Sequence, residues 1–176
     1  VNAGKRFEND VKANVPEGVL LHRVSDSANS FGGNDNLRFT LKNPFDYIMW
    51  DDNNRNLYAL ELKTVHGKSI SFERSKEDRG EIHLHQILGL KKWDEYQGTI
   101  CGFVIEFREL EKTIFLEIAE FIKLAKSIDK KSFSFSDLDK YSIRYFIIPQ
   151  TKKITHYRYD IGDLIAKTKH LTQNKN

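Results

Sequence analysis

The sequence is short of cysteine, of long apolar runs and of net charge, and each shortage excludes something. One cysteine, Cys101, in 176 residues leaves no internal disulfide and no multi-cysteine zinc site, which fits a reducing, cytoplasmic setting. No apolar run nears the ~18 residues of a membrane span, and no signal-peptide pattern opens the chain, so no membrane partner is expected. There is no internal repeat and no low-complexity domain. Lys+Arg 28 against Asp+Glu 25 gives a formal charge of +3, too small to prescribe a nucleic-acid partner by itself. What is present is a 39% hydrophobic and 12% aromatic content, which argues against disorder, with 30% charged residues to solvate a surface. The length suits one domain with a real core. The charge is unevenly spread: residues 151–176 hold six Lys+Arg against two acids, and residues 1–150 hold 22 against 23.

The order of elements expected from periodicity is α-β-β-β-α-β-β-α-β, an α/β fold with a mixed central sheet flanked by helices. Residues 4–15 read as a helix with Phe7, Val11 and Val15 on one stripe, ended by Pro16-Glu17-Gly18. Val19–His22 is a short strand, and the Ser-, Asn- and Gly-rich stretch from Ser25 to Asn43 is a long loop with a short strand near Leu37–Leu41. Phe45–Trp50 and Leu57–Val65 are strands joined by the turn-rich Asp51–Asn56. A polar loop over 66–81 precedes a helix at 82–97. Thr99–Phe107 and Thr113–Ile118 are strands, Ala119–Ser127 a helix, 129–140 a polar stretch, and Ile143–Ile148 a last core strand closed by Pro149.

Three acid-x-Lys triplets occur, about what chance gives in so charged a chain: Asp10-Val11-Lys12, Glu61-Leu62-Lys63 and Asp129-Lys130-Lys131. The first lies on a helix and the third in a polar stretch, where solvated charge is expected. The second interrupts Leu57-Tyr58-Ala59-Leu60, a run that should be buried, and a charge there is costly without a partner or a metal. The preceding strand repeats the anomaly, because Asp46 sits alone among Phe45, Tyr47, Ile48, Met49 and Trp50. A hairpin turning symmetrically about Asn53-Asn54, residues that tolerate φ > 0, sets Asp46 opposite Glu61 with Lys63 diagonal on the same face. Two carboxylates so placed repel unless one is protonated or a cation sits between them. All-oxygen coordination suits Mg²⁺ or Mn²⁺ rather than zinc, and a lysine beside it can orient or deprotonate a water for attack on a phosphodiester. The alternative is a buried Asp–Lys–Glu ion-pair network, which costs desolvation for little return.

Pro44-Phe45-Asp46 followed by Glu61-Leu62-Lys63 resembles the PD-(D/E)xK nuclease motif. Together with Gly4-Lys5-Arg6-Phe7-Glu8, Ile82-His83-Leu84-His85-Gln86-Ile87 and Gly102-Phe103-Val104-Ile105, it is similar to the RecU-type Holliday junction resolvases from about Gly4 to Tyr159. The resemblance implies a restriction-endonuclease-like core and a metal-dependent endonuclease, working as a homodimer on branched or duplex DNA. It implies Asp46 and Glu61 as ligands of Mg²⁺ or Mn²⁺, Lys63 handling the attacking water, and Glu8 supporting a metal through water. It favours an active-site role for Gln86 over a core glutamine satisfied by backbone. On this basis residues 1–160 are expected to be a single nuclease domain and 161–176 a basic C-terminal tail.

Lys5, Arg6, Arg38 and Lys68 are the cations expected at DNA, joined by His83 and His85 either at the DNA backbone or packing at a helix start. Two histidines at i and i+2 on a helix face different ways, so chelation by that pair is not expected. Trp50, Trp93 and the phenylalanines are expected in the core, with Cys101 as a small buried hydrophobe. The sequence departs from the family in two places. The stretch Ser25–Phe45 is shorter and rich in Asn and Gly where RecU proteins carry a stalk, and Pro44-Phe45 replaces a common Thr pair. These departures bear on junction specificity rather than on cleavage chemistry.

Overall fold

Two apolar faces of one sheet organise the molecule. The protein is represented by a computed structural model that describes residues 2–24 and 43–174. The chain begins with helix α1 (Ala3–Ala13), whose Asn2 side chain accepts the Gly4 N–H at 2.9 Å and caps the first turn. Phe7 and Val11 face inward as the spacing requires; Val15 lies beyond the helix end, because the following Pro16 disfavours α geometry there. Then come β1 (Val19–Arg23), β2 (Tyr47–Asp51), β3 (Asn56–Val65), β4 (Ser69–Ser71), α2 (Leu84–Asp94), β5 (Thr99–Phe107), β6 (Lys112–Glu117) and α3 (Ile118–Ser127). The last part holds β7 (Ser132–Ser134), α4 (Phe135–Lys140), β8 (Phe146–Ile148), β9 (Gln150–Lys152), β10 (Tyr157–Tyr159) and α5 (Ile161–Thr168).

The main sheet runs β1-β2-β3-β5-β6-β8, with β3 and β5 parallel and its other pairs antiparallel. The parallel step needs a crossover, and α2 supplies it. One face packs Ala59, Phe103, Ile105 and Leu116 against Leu90 of α2 and Phe121 and Leu124 of α3. The other packs Tyr58, Leu60, Leu62 and Val104 against Phe7 and Val11 of α1 and Ile161, Leu164 and Ile165 of α5. This is the mixed central sheet with flanking helices that the sequence leads one to expect. Cys101 is fully buried in it. Among the described residues no helix is long and apolar enough to cross a membrane.

The β2–β3 hairpin keeps the symmetric register, with Tyr47 opposite Leu60 and Asp51 opposite Asn56. The left-handed residue in its turn is Arg55 (φ 55°) rather than Asn53 or Asn54; Asp51 braces the turn by accepting Asn53 N–H at 3.1 Å. Several short elements escape periodicity. The polar stretch 129–140 holds β7 and α4, and β7 pairs with β4, although Ser71 and its partner Ser132 are 61 positions apart. The expected tail, 161–176, is instead part of the body over α5, where Ile161, Leu164, Ile165 and Thr168 are buried. Those four positions follow a helical stripe that the surrounding cations disguise. Arg38 and the expected strand at Leu37–Leu41 lie outside the described residues.

Candidate active site

The hairpin register brings the two anomalous carboxylates together. Asp46 precedes β2, held by its backbone oxygen accepting Val24 N–H at 2.8 Å and by its Oδ2 accepting Leu62 N–H at 3.1 Å. Glu61, on β3, is 2% exposed. Its Oε1 sits 3.0 Å from Lys63 Nζ and accepts a hydrogen bond from Gln86 Nε2, whereas its Oε2 has no partner among the described residues. The expected face-to-face carboxylates and diagonal lysine are therefore found together on the α2 side of the sheet.

Burial pushes the Glu61 carboxyl up to about 8; Lys63 opposes this and the Asp46 charge adds to it. Asp46 is raised too, chiefly by burial, against the Leu62 N–H and Lys63 and with Glu8. Protein groups alone therefore do not stabilise both charges. The orphaned Oε2 and the neighbouring Asp46 carboxylate are hard oxygen donors of the kind that a divalent cation such as Mg²⁺ or Mn²⁺ takes. Among the described residues no group of three or more His, Cys, Asp or Glu is placed to hold a metal ion.

Gln86 links this centre to helix α2. Its Oε1 accepts the His83 N–H at 2.9 Å, closing the first turn, while its Nε2 donates to Glu61. One side chain thus bonds both a backbone group and the buried carboxylate. Gly89 brings α2 onto the Asp46 segment, since a Cβ there would stand 2.3 Å from Pro44 Cβ. Phe45 meets Trp93 edge to face, with ring centroids 5.0 Å apart.

Glu8 approaches from α1, accepting Tyr47 OH at 3.1 Å and lying 3.6 Å from Arg23. Burial and this carboxylate push the Tyr47 hydroxyl up to about 12, so it remains a donor. Neither Arg23 nor Tyr47 carries a signal in the sequence beyond a place on a strand. A cleft of about 150 Å³ joins Arg23, Asn43, Asp46, Glu61, His85 and Gln86. Larger depressions of about 710 and 500 Å³, beside Asn56 and Pro149, contain none of these carboxylates.

The expected DNA contacts separate on inspection. Lys5 is exposed on α1. Arg6 is turned into the body, 3.2 Å from the buried Glu106, and stacks over Tyr157. Lys68 is exposed but paired with Glu109 at 3.2 Å. His83 is the N-cap of α2 and lies 2.8 Å from Glu73, whose carboxylate the His83 bond and the Leu84 N–H hold below its usual range. The extended N-cap backbone lets the His83 and His85 rings stack, centroids 5.5 Å apart, which the helical i, i+2 argument did not anticipate. Asp10, expected in solvent, is buried and accepts Tyr157 N–H at 3.0 Å.

Comparison with known proteins adds sequence relatives to this geometry. The family model RecU, described as Recombination protein U, matches residues 60–159. The SPbeta prophage-derived uncharacterized protein YotM of Bacillus subtilis (strain 168) is 29% identical over 182 residues, covering 94% of this chain and 88% of that protein. Among solved structures, Archaeoglobus fulgidus Hjc, a Holliday junction resolvase from an archaeal hyperthermophile, matches with a TM-score of 0.47 and 14% identity. That alignment covers 78% of this chain and 93% of the other.

Proposed function

From the premise that the chain belongs to the recombination protein U family, we propose that it is an Mg²⁺- or Mn²⁺-dependent endonuclease that hydrolyses phosphodiester bonds in branched DNA. The observation that carries this reading is the orphaned Oε2 of Glu61, buried beside Asp46 with Lys63 3.0 Å from the other oxygen. Asp46 and Glu61 would hold the cation, with Glu8 reaching it through water. When bound, the cation supplies Lewis-acid stabilisation of charge developing on the phosphate. Lys63 orients the attacking water and manages its proton, and Gln86 fixes the carboxylate that Lys63 faces. His85 in the cleft and the exposed Lys5 on α1 contact DNA, and the protein acts as a cytoplasmic homodimer matching the two-fold symmetry of a junction.

The test uses wild type and Lys63→Ala on labelled four-way junctions and linear duplex, with Mg²⁺ or Mn²⁺. Metal-dependent cutting by wild type and a loss of about 10²-fold or more in the variant are expected. Equal cutting by both proteins, or none with either metal, refutes the reading. A second reading, an endonuclease of phage type acting on other DNA forms, is favoured by the Asn/Gly-rich stretch before Asp46 and by the prophage-derived relative. Preference for linear or single-stranded DNA in the same assay would select it.

A further inference from the structure

The β9–β10 hairpin takes no part in the cleft, and its composition differs from the rest of the chain. Residues 150–159 include Lys152, Lys153 and Arg158 and no acid, so ten residues carry as much formal charge as the entire protein. Lys152 is paired with Glu111 at 2.9 Å. Lys153 and Arg158 are exposed and make no ion pair with any described residue. At the tip between them Ile154 is fully exposed, more so than any other large apolar side chain described.

An isolated hairpin with three residues per strand is marginal in water. This one is fixed at its root. Tyr159 OH donates at 2.8 Å to Glu106, which is 1% exposed and also binds Arg6 and Thr64. Tyr157 N–H donates at 3.0 Å to the buried Asp10 on α1, and Tyr157 OH reaches Glu111 at 3.3 Å. The turn closes through Lys153 N–H to His156 O at 2.8 Å. Glu106 pairs with Thr64, and the next pair along the ladder is Ile105 with Lys63, so the root lies on the face of the sheet opposite Lys63.

A fixed β-ribbon with an aliphatic tip and cations on both strands has the chemistry of a nucleic-acid wedge. Cations take backbone phosphates, and apolar side chains enter where base stacking is interrupted. We infer that this hairpin is a second DNA-contacting element, in which Lys153 and Arg158 bind phosphates and Ile154 inserts at a branch point. This rests on the DNA reading above.

The experiment measures binding by the full chain in EDTA, so that no cleavage intervenes. Wild type, Ile154→Ala and Lys153→Ala/Arg158→Ala are titrated with a four-way junction carrying 2-aminopurine at the branch point and with linear duplex, between 50 and 200 mM salt, concentrations over which phosphate contacts are read out. The double variant is expected to reduce the slope of log K against log salt by about 2. Ile154→Ala is expected to keep the slope, abolish the fluorescence rise and weaken junction binding about tenfold more than duplex binding. Wild-type slope and fluorescence in the variants, or loss of slope with the fluorescence rise retained, overturn the inference. All three side chains are exposed, so urea midpoints should match wild type and exclude misfolding. Failure of wild type to bind either DNA would instead refute the DNA reading itself.

Discussion

Glu61 is a residue whose presence the fold alone does not justify. It is buried, one oxygen is orphaned, and burial raises its carboxyl to about 8, so in the metal-free protein folding at neutral pH forces this carboxyl to take up a proton, which costs stability. Removing the charge while keeping the shape should therefore stabilise the apo protein. Glu61→Gln is expected to raise unfolding stability in EDTA at pH 8 by on the order of 1 kcal/mol, since Lys63 loses its partner and offsets part of the gain. It should also abolish Mn²⁺ binding in calorimetry. A lower urea midpoint for Glu61→Gln in EDTA would show that the carboxylate is structural. At this scale the site was readable from sequence where a charge broke an apolar run, as Asp46 and Glu61 do, because burial makes such a charge conspicuous. Arg23, Tyr47 and Glu73 were not readable. Their sequence neighbours are unexceptional, and only tertiary contact sets them beside the cleft or its helix.

Two elements meet at glycines, and the two contacts have different consequences. On β5, a Cβ at Gly102 would lie 2.4 Å from Leu116 O and 2.8 Å from the Phe115 ring, so β6 would have to move. On α2, a Cβ at Gly89 would push on Pro44, two residues before Asp46. Gly102→Ala and Gly89→Ala are each expected to cost about 1–3 kcal/mol by urea denaturation. Only Gly89→Ala should also weaken Mn²⁺ binding, by moving the Asp46 segment relative to Glu61; equal Mn²⁺ affinities would detach α2 from the metal centre. The strands carrying these contacts were legible because β3 and β5 are nine or ten residues of dense apolar and β-branched sequence. The short elements were not. Strands β4 and β7 have three residues each, with little periodicity to read, and they exist through pairing across the intervening α2, β5, β6 and α3. Helix α4 did leave a trace, Ser134-Phe-Ser-Asp137, a reciprocal cap in which Ser134 N–H and Oγ bond Asp137 at 2.7 and 2.8 Å.

Across the whole molecule the titrating groups pull stability in opposite directions as pH changes. The Lys131 ammonium and the Arg74 and Ser75 N–H groups hold Asp78 at about 2, below its ordinary 3.8. Burial would raise Asp137, but Lys130 and Ser134 outweigh it and hold that carboxyl at about 2 as well. Asp78 ties the segment after β4 to Lys131 just before β7, and Asp137 ties Lys130 and Ser134 to the first turn of α4. A depressed carboxyl contributes stability that is complete above its unfolded value and is lost as pH falls through the folded one, so these contributions fade between about pH 4 and pH 2. Glu61 has the opposite sign: its penalty is fully present above about pH 8 and is relieved as pH falls toward its ordinary 4.5. In EDTA the urea midpoint should therefore rise on acidification from pH 8 toward about pH 5 and fall below pH 4. Lys131→Ala should remove part of the acid limb, and Glu61→Gln should flatten the neutral limb. Millimolar Mg²⁺ should flatten that same limb in wild type, because an ion that binds the native carboxylates offsets their repulsion by mass action. A midpoint that climbs steadily to pH 8 in EDTA, unaffected by Mg²⁺, would mean that the carboxylate pair bears no such penalty and that no cation relieves it.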